Sequence, residues 1–228
     1  MRIAEIYGAP QGEGELTGTP SVFVRTTGCN LRCWFCDTPF TSWQPDGSHV
    51  PLDELVTRIA AFETEHVVIT GGEPLLPSEI VELTRRLKVL RHFITIETAG
   101  TVYRDVVADL MSISPKLSNS TPSAARSATW SSRHDALRER PEVIAKLMAN
   151  YRYQLKFVVD QPADIDEIDE FLSRQPTLDR ARVWLMPQAI TREDLVEKSE
   201  WLEPLATEHG LMFSSRRHIE LHGNMRGK

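Results

Sequence analysis

A regular alternation of short β-branched runs with longer segments of helical period most constrains how this chain can fold. Ser21-Val22-Phe23-Val24-Arg25 reads as a strand. So do His66-Val67-Val68-Ile69-Thr70, Phe93-Ile94-Thr95-Ile96, Met111-Ser112-Ile113, the run from Gln154 to Val159, and Val183-Trp184-Leu185-Met186. Between them apolar residues recur every three or four positions. Leu52, Leu55, Val56, Ile59 and Ala60 follow Pro51, and Ile80, Leu83, Leu87 and Leu90 follow Ser78 as a cap. Val143, Ile144, Leu147 and Met148 form another such face, residues 164–173 a further helix, and Leu195, Val196, Leu202 and Leu205 follow Thr191 as a cap. Strands that alternate with helices pair in parallel, because a parallel neighbour is reached only through a crossover. Six such strands predict an α/β sheet or an incomplete, partial barrel, since a closed eight-unit barrel ordinarily takes about 250 residues. Either way, reactive residues gather at the C-terminal strand ends, where Thr70, Glu97, Ser114 and Gln188 fall.

The 228 residues are 41% hydrophobic and 25% charged, with a formal net charge of −6, which suits one globular domain over 1–228. The mild acidity argues against a nucleic-acid partner. No run approaches the roughly 18 apolar residues that span a bilayer, and Met1-Arg2-Ile3-Ala4-Glu5 lacks a secretory layout, so no membrane role and a cytoplasmic location are expected. Residues 114–133, rich in Ser, Thr, Ala and Pro, have no period and read as an irregular loop, either a lid or a surface connection.

Only three cysteines occur, and all lie in one eight-residue window: Cys29, Cys33 and Cys36. An odd, crowded set is a poor disulfide framework. A structural zinc site wants four ligands, with His49 the one histidine to consider, and a redox pair would use Cys33 and Cys36 but leave Cys29 unexplained. A cubane iron–sulfur cluster normally takes four thiolates, so three would leave one iron open to another ligand.

Cys29-x3-Cys33-x2-Cys36, with Phe35 before the last cysteine, resembles the signature of radical S-adenosylmethionine enzymes. Gly71-Gly72-Glu73-Pro74 resembles their second hallmark, which holds the methionyl amino group. Further segments resemble the 7-carboxy-7-deazaguanine synthase family over essentially the whole chain: Gln11-Gly12-Glu13-Gly14, Gly18-Thr19-Pro20, Phe23-Val24-Arg25, Cys36-Asp37-Thr38, Ile96-Glu97-Thr98-Ala99-Gly100, Ser114-Pro115-Lys116, Met186-Pro187-Gln188 and the tail from His222. The resemblance implies a partial TIM-like barrel, a homodimer, and ring contraction of 6-carboxy-5,6,7,8-tetrahydropterin to 7-carboxy-7-deazaguanine with release of ammonia, on the way to queuosine and related 7-deazapurines. It also implies a 4Fe–4S cluster, S-adenosylmethionine, Mg2+, and an electron donor such as flavodoxin or ferredoxin.

By the same resemblance, Cys29, Cys33 and Cys36 ligate the cluster and Thr38 the magnesium, as a hard oxygen donor. Phe35, Asp37, Gly72, Glu73, Glu97, Ser114, Lys116 and Gln188 face S-adenosylmethionine. Pro10, Gln11, Gly12, Glu13, Arg25, Thr70 and His222 face the pterin; a carboxylate suits its guanidine-like edge and a guanidinium suits its carboxylate. Taken alone, Glu13 would be a solvated loop acid, Arg25 a surface ion pair and Thr38 a turn threonine. Lys156, in an otherwise apolar strand, demands a carboxylate partner. A glycyl-radical-enzyme activase shares the cysteine spacing, but the Gln11–Gly14 segment and Cys36-Asp37-Thr38 disfavour it.

Overall fold

The structure, a computed structural model, describes residues 1–175 and 178–227. Six strands lie where the β-branched runs predict: β2 (Pro20–Thr26), β4 (His66–Gly71), β5 (Phe93–Thr98), β6 (Leu110–Ile113), β7 (Tyr153–Val159) and β8 (Val183–Pro187). All are parallel and adjacent in that order, and the short β9 (Met212–Phe213) extends them. β1 (Arg2–Pro10) pairs antiparallel with β2, and β3 (Ser48–His49) pairs antiparallel with β1. The sheet therefore runs from β3 to β9 without those ends pairing, an incomplete barrel.

The crossovers are α1 (Leu52–Ala60), α2 (Ile80–Val89), α3 (Ala124–Arg138), α4 (Pro141–Asn150), α5 (Asp164–Ser173) and α6 (Arg192–Glu208); α7 (Arg217–His222) follows β9. All of the crossovers but α3 turn an apolar stripe onto the sheet: Leu55 and Ile59 from α1, Ile80, Leu83 and Leu87 from α2, Ile168 from α5. Residues 67–70 of β4 are all buried because helices cover one face and the barrel interior the other. Each fully buried Leu or Ile of this core stabilises the fold by about 1.5–3 kcal/mol.

Two local expectations need revision. Thr191 does cap α6, its hydroxyl accepting from Asp194 N at 3.1 Å, but Ser78 does not cap α2. Glu79 takes the cap position and Ser78 O instead closes a turn with Val81 N. The 114–133 segment is not irregular throughout. A 3-10 turn spans Ser118–Ser120, and α3 begins at Ala124, with Ser123 accepting from Arg126 N. At Ser127 the backbone is extended and its hydroxyl accepts from Trp130 N, restarting the helix. Of α3 only His134 is buried, so the sequence carries no apolar stripe from which to read it.

Candidate active site

A cavity of about 490 Å³ opens at the C-terminal ends of the parallel strands. Its rim carries Cys29, Cys33 and Cys36, on the loop that leaves β2. Three polar groups already face these sulfurs: Leu31 N donates to Cys29 Sγ at 3.4 Å, and Cys36 Sγ lies 3.2 Å from Ser42 Oγ and 3.9 Å from Thr38 Oγ1. Burial pushes the Cys29 and Cys33 thiols up to about 12 and raises Cys36 as well. Thiols so placed ionise only with a strongly cationic partner.

The Gly71-Gly72 turn packs against that loop. Gly72 N donates to Thr26 O at 3.2 Å and Glu73 N to Gly28 O at 2.9 Å. Gly71 has φ +128°, and a Cβ on Gly72 would overlap the Gly28 carbonyl. The glycines are thus required by contact between two backbones. Glu73 corrects an expectation: it lies beneath the cavity, fully buried, and does not line it. Its carboxylate accepts from Leu75 N, Thr98 Oγ1 and Ala99 N at 2.8–3.1 Å, pinning the turn to the end of β5.

The floor is a chain of buried charges. Lys156 Nζ donates to Glu13 Oε2 and Glu97 Oε1, each at 3.0 Å, which supplies the carboxylate partner its apolar strand demands. Arg216 donates from Nε to Glu13 Oε1 at 2.9 Å, from Nη1 to Ala189 O at 2.7 Å, and from Nη2 to Asp37. Burial alone would neutralise Glu13, but Lys156 and Arg216 outweigh it and hold the carboxyl well below its usual range. Asp37 is likewise held low against burial, mainly by Arg216. Lys156 and Arg216 are both shifted upward, because the carboxylates overcome the burial that would discharge them. Beside this chain, Arg25 donates to Glu5 at 2.7 Å and to the Tyr7 hydroxyl at 2.6 Å, and Tyr7 stacks on Phe23.

Pro10, Gln11, Gly12, Thr70, Phe35, Thr38, Ser114, Lys116 and Gln188 also line the cavity. Lys116 Nζ donates to Ser114 Oγ at 2.6 Å, and Lys198 Nζ to Gln188 Oε1 at 2.9 Å, which orients that amide. Thr38 Oγ1 lies 3.3 Å from Thr41 Oγ1. His222 is a second correction: it is exposed on the last turn of α7 and outside the cavity. His218, one turn earlier, lines it, seated where a side chain on Gly12 would collide. Sequence reasoning also misses Arg216, Glu5 and Arg226. Nothing local separates a buried arginine from a surface one, although the run Arg216-Arg217-His218 is a dense cationic signal.

A partial barrel with three thiols at its mouth defines a class, and residues 23–118 match the Radical SAM superfamily. Over its whole length the chain is similar to named synthases. It is 45% identical to the 7-carboxy-7-deazaguanine synthase of Rhodopirellula baltica, covering 100% of this chain and 88% of that one. It is 43% identical to the synthase of Halobacterium salinarum, covering 97% and 90%. The chain belongs to the 7-carboxy-7-deazaguanine synthase family. Its fold is also that of the crystal structure of QueE from Escherichia coli, with a TM-score of 0.71 at 23% identity over 95% of this chain and 94% of that one.

Superfamily membership carries a 4Fe–4S cluster and S-adenosylmethionine as cofactors. The donor set fits a cluster: three half-buried thiols share one cavity wall, with no fourth cysteine in the sequence. Among the described residues no three His, Cys, Asp or Glu side chains close on a single-ion position, and a cluster whose irons spread over several corners does not require them to.

Proposed function

We propose that this enzyme contracts the ring of 6-carboxy-5,6,7,8-tetrahydropterin to 7-carboxy-7-deazaguanine, releasing ammonia, in the biosynthesis of queuosine and related 7-deazapurines. One observation supports this best: the three thiols and the Arg216–Glu13–Lys156–Glu97 charge chain share a single cavity of about 490 Å³. A site with cluster ligands at the mouth and fixed charges on the floor suits a small polar heterocycle. When bound, the cluster and S-adenosylmethionine supply the one-electron chemistry.

The chain's own residues bind and orient. Cys29, Cys33 and Cys36 hold the cluster. Glu13 stays ionised, and its two oxygens keep lone pairs beyond those used by Lys156 and Arg216, so it accepts from the guanidine-like edge of the pterin. Arg25 spends two donors on Glu5 and Tyr7 and keeps others for the substrate carboxylate. Thr70, Gln11, Pro10 and Gly12 shape the pterin pocket, and His218 stands in the place expected of His222. Ser114, Lys116, Gln188, Glu97, Phe35, Asp37 and Gly72 face S-adenosylmethionine. Thr38 offers its hydroxyl to Mg2+, which takes its other oxygens from water and the substrate carboxylate. The fixed charges are already oriented and cost no reorganisation during reaction.

The same reading includes one domain over 1–228, a homodimer, a cytoplasmic location and a flavodoxin or ferredoxin as reductant. No helix among the described residues is long and apolar enough to cross a membrane.

The test is anaerobic incubation of the reconstituted protein with dithionite, S-adenosylmethionine, Mg2+ and the carboxy-tetrahydropterin. The expected result is a brown protein with about four irons per chain that forms the deazapurine. An intact cluster with no deazapurine would point instead to a radical enzyme with another substrate, such as a glycyl-radical activase. A colourless zinc protein would sink both.

A further inference from the structure

The cysteine loop has an outer side that the cavity does not use. Trp34, between Cys33 and Cys36, is 41% exposed, and its indole N–H donates to Asn119 O at 2.7 Å. The Trp43 indole donates to Cys33 O at 2.9 Å. Over this surface lies α3, attached through stacking and hydrogen bonds. Arg126 stacks on Trp43 at 4.1 Å and donates to Trp34 O at 3.0 Å. Arg32 and Arg133 sandwich Trp130 at 4.0 and 4.8 Å. His134 Nδ1 accepts from Arg32 N at 3.0 Å, which leaves the proton on Nε2, 2.9 Å from Ser120 Oγ. None of these tryptophans or arginines lines the cavity.

Two features give this surface a direction. Arg32, Arg126 and Arg133 carry no ion pair among the described residues, whereas the nearby acid Asp135 is spent on Arg138 and Thr121. A cationic patch thus stands on a chain of net charge −6. Its composition, arginine and tryptophan fixed by stacking, is also that of interaction hot spots.

We propose that α3 and the outer side of the cysteine loop are the docking surface for an acidic one-electron donor protein. Arg32, Arg126 and Arg133 would face its carboxylates, with Trp34 at the contact centre. This rests on the radical reading of the site: an electron must enter from outside, and the cavity side is reserved for S-adenosylmethionine and substrate. One electron leaves the donor's reduced centre and one arrives at the cysteine-bound centre; no bond breaks and no proton moves. The patch borders the backbone of two cluster ligands, through Trp43 on Cys33 O and Arg32 on Cys29 O, which makes it the short route.

The test measures binding of a reduced flavodoxin to the reconstituted enzyme by anaerobic biolayer interferometry at low and high salt. Expected is an association rate that falls about 10–100-fold in R126E/R133E at low ionic strength, with the difference shrinking once the Debye length drops below about 8 Å. R133E alone, at an exposed residue whose guanidinium stacks on Trp130, should show part of the loss. The charge-matched control R85E/R91E on and just after α2 should bind as wild type. Equal binding by all variants would overturn the proposal. So would equal loss in the control, or arginine-dependent binding of a single-stranded RNA with none of flavodoxin. Turnover separates the two readings. R126E/R133E should keep dithionite-driven activity and lose flavodoxin-driven activity. If wild type makes no deazapurine even with dithionite, the proposed reaction fails while the binding measurement still stands.

Discussion

Arg216 is the residue on which the floor of the site depends most, and Arg216→Met tests that directly. Arg216 is 8% exposed, and its guanidinium links Glu13, at the floor, to Asp37, on the cysteine loop, while a third donor meets Ala189 O. Methionine keeps most of the volume and removes all three interactions. Glu13 retains Lys156, but Asp37 loses its only side-chain partner among the described residues. Breaking a buried pair by deleting one member costs about 3–5 kcal/mol. The Asp37 side chain is 35% exposed and recovers some hydration, so the lower end, ~3 kcal/mol, is the working figure. For a chain of this length that lowers the melting temperature by roughly 6–12 °C. Anaerobic thermal unfolding of the reconstituted enzyme at pH 7.5 measures it. The cause is separable by a double-mutant cycle: D37N, which neutralises the stranded carboxylate, should recover part of the loss in the R216M background and none in wild type. R216K restores a charge but not the fork, and should fall between. A drop of less than about 2 °C, or no recovery with D37N, would refute the claim that charge pairing through Arg216 holds the floor together.

Three further outcomes are expected. Lys156→Met leaves Glu13 and Glu97 facing each other without their shared cation; turnover should fall about 10²-fold with iron content unchanged, and retained turnover would remove Lys156 from the site. Gly72→Ala drives a Cβ into the Gly28 carbonyl, costs about 1–3 kcal/mol and displaces the cysteine loop, so iron bound per chain should drop; full loading would show that the loops tolerate the change. His134, pushed down to about 4 by burial against an ordinary value of 6.5, stays neutral in the folded protein. As pH falls below about 6.5 the unfolded chain takes up the proton first, so stability is full above that pH and drains away toward pH 4. Between pH 7.5 and 5.5 the wild type should lose about 1 kcal/mol more than H134Q, read as unfolding midpoints; parallel pH profiles would contradict it.

What could be read from the sequence, and what could not, follows one physical division. The parallel strands and their crossover helices were legible because each buries an apolar stripe, and burial imposes a period on the chain. α3 imposes none: stacking and hydrogen bonds attach it, and those leave no repeat. Thr70, Glu97, Ser114 and Gln188 were legible because strand ends in such folds face the site. Glu73 shows the limit of that rule. The turn is where the sequence implies, but its side chain points beneath the cavity, where three donors satisfy it. His218 and His222 stand four residues apart on one helical face, so helical period alone cannot choose between them. The choice is made by tertiary contact: Arg217 N donates to Gly12 O at 3.0 Å, which docks the first turn of α7 against the cavity and leaves the last turn in solvent. Gly12 and His218 therefore specify each other across 206 residues of chain, one supplying space and the other filling it. The same logic makes Arg216 invisible in the sequence and central in the fold, since its partners Glu13 and Asp37 meet it only when the C-terminal segment closes over the cysteine loop.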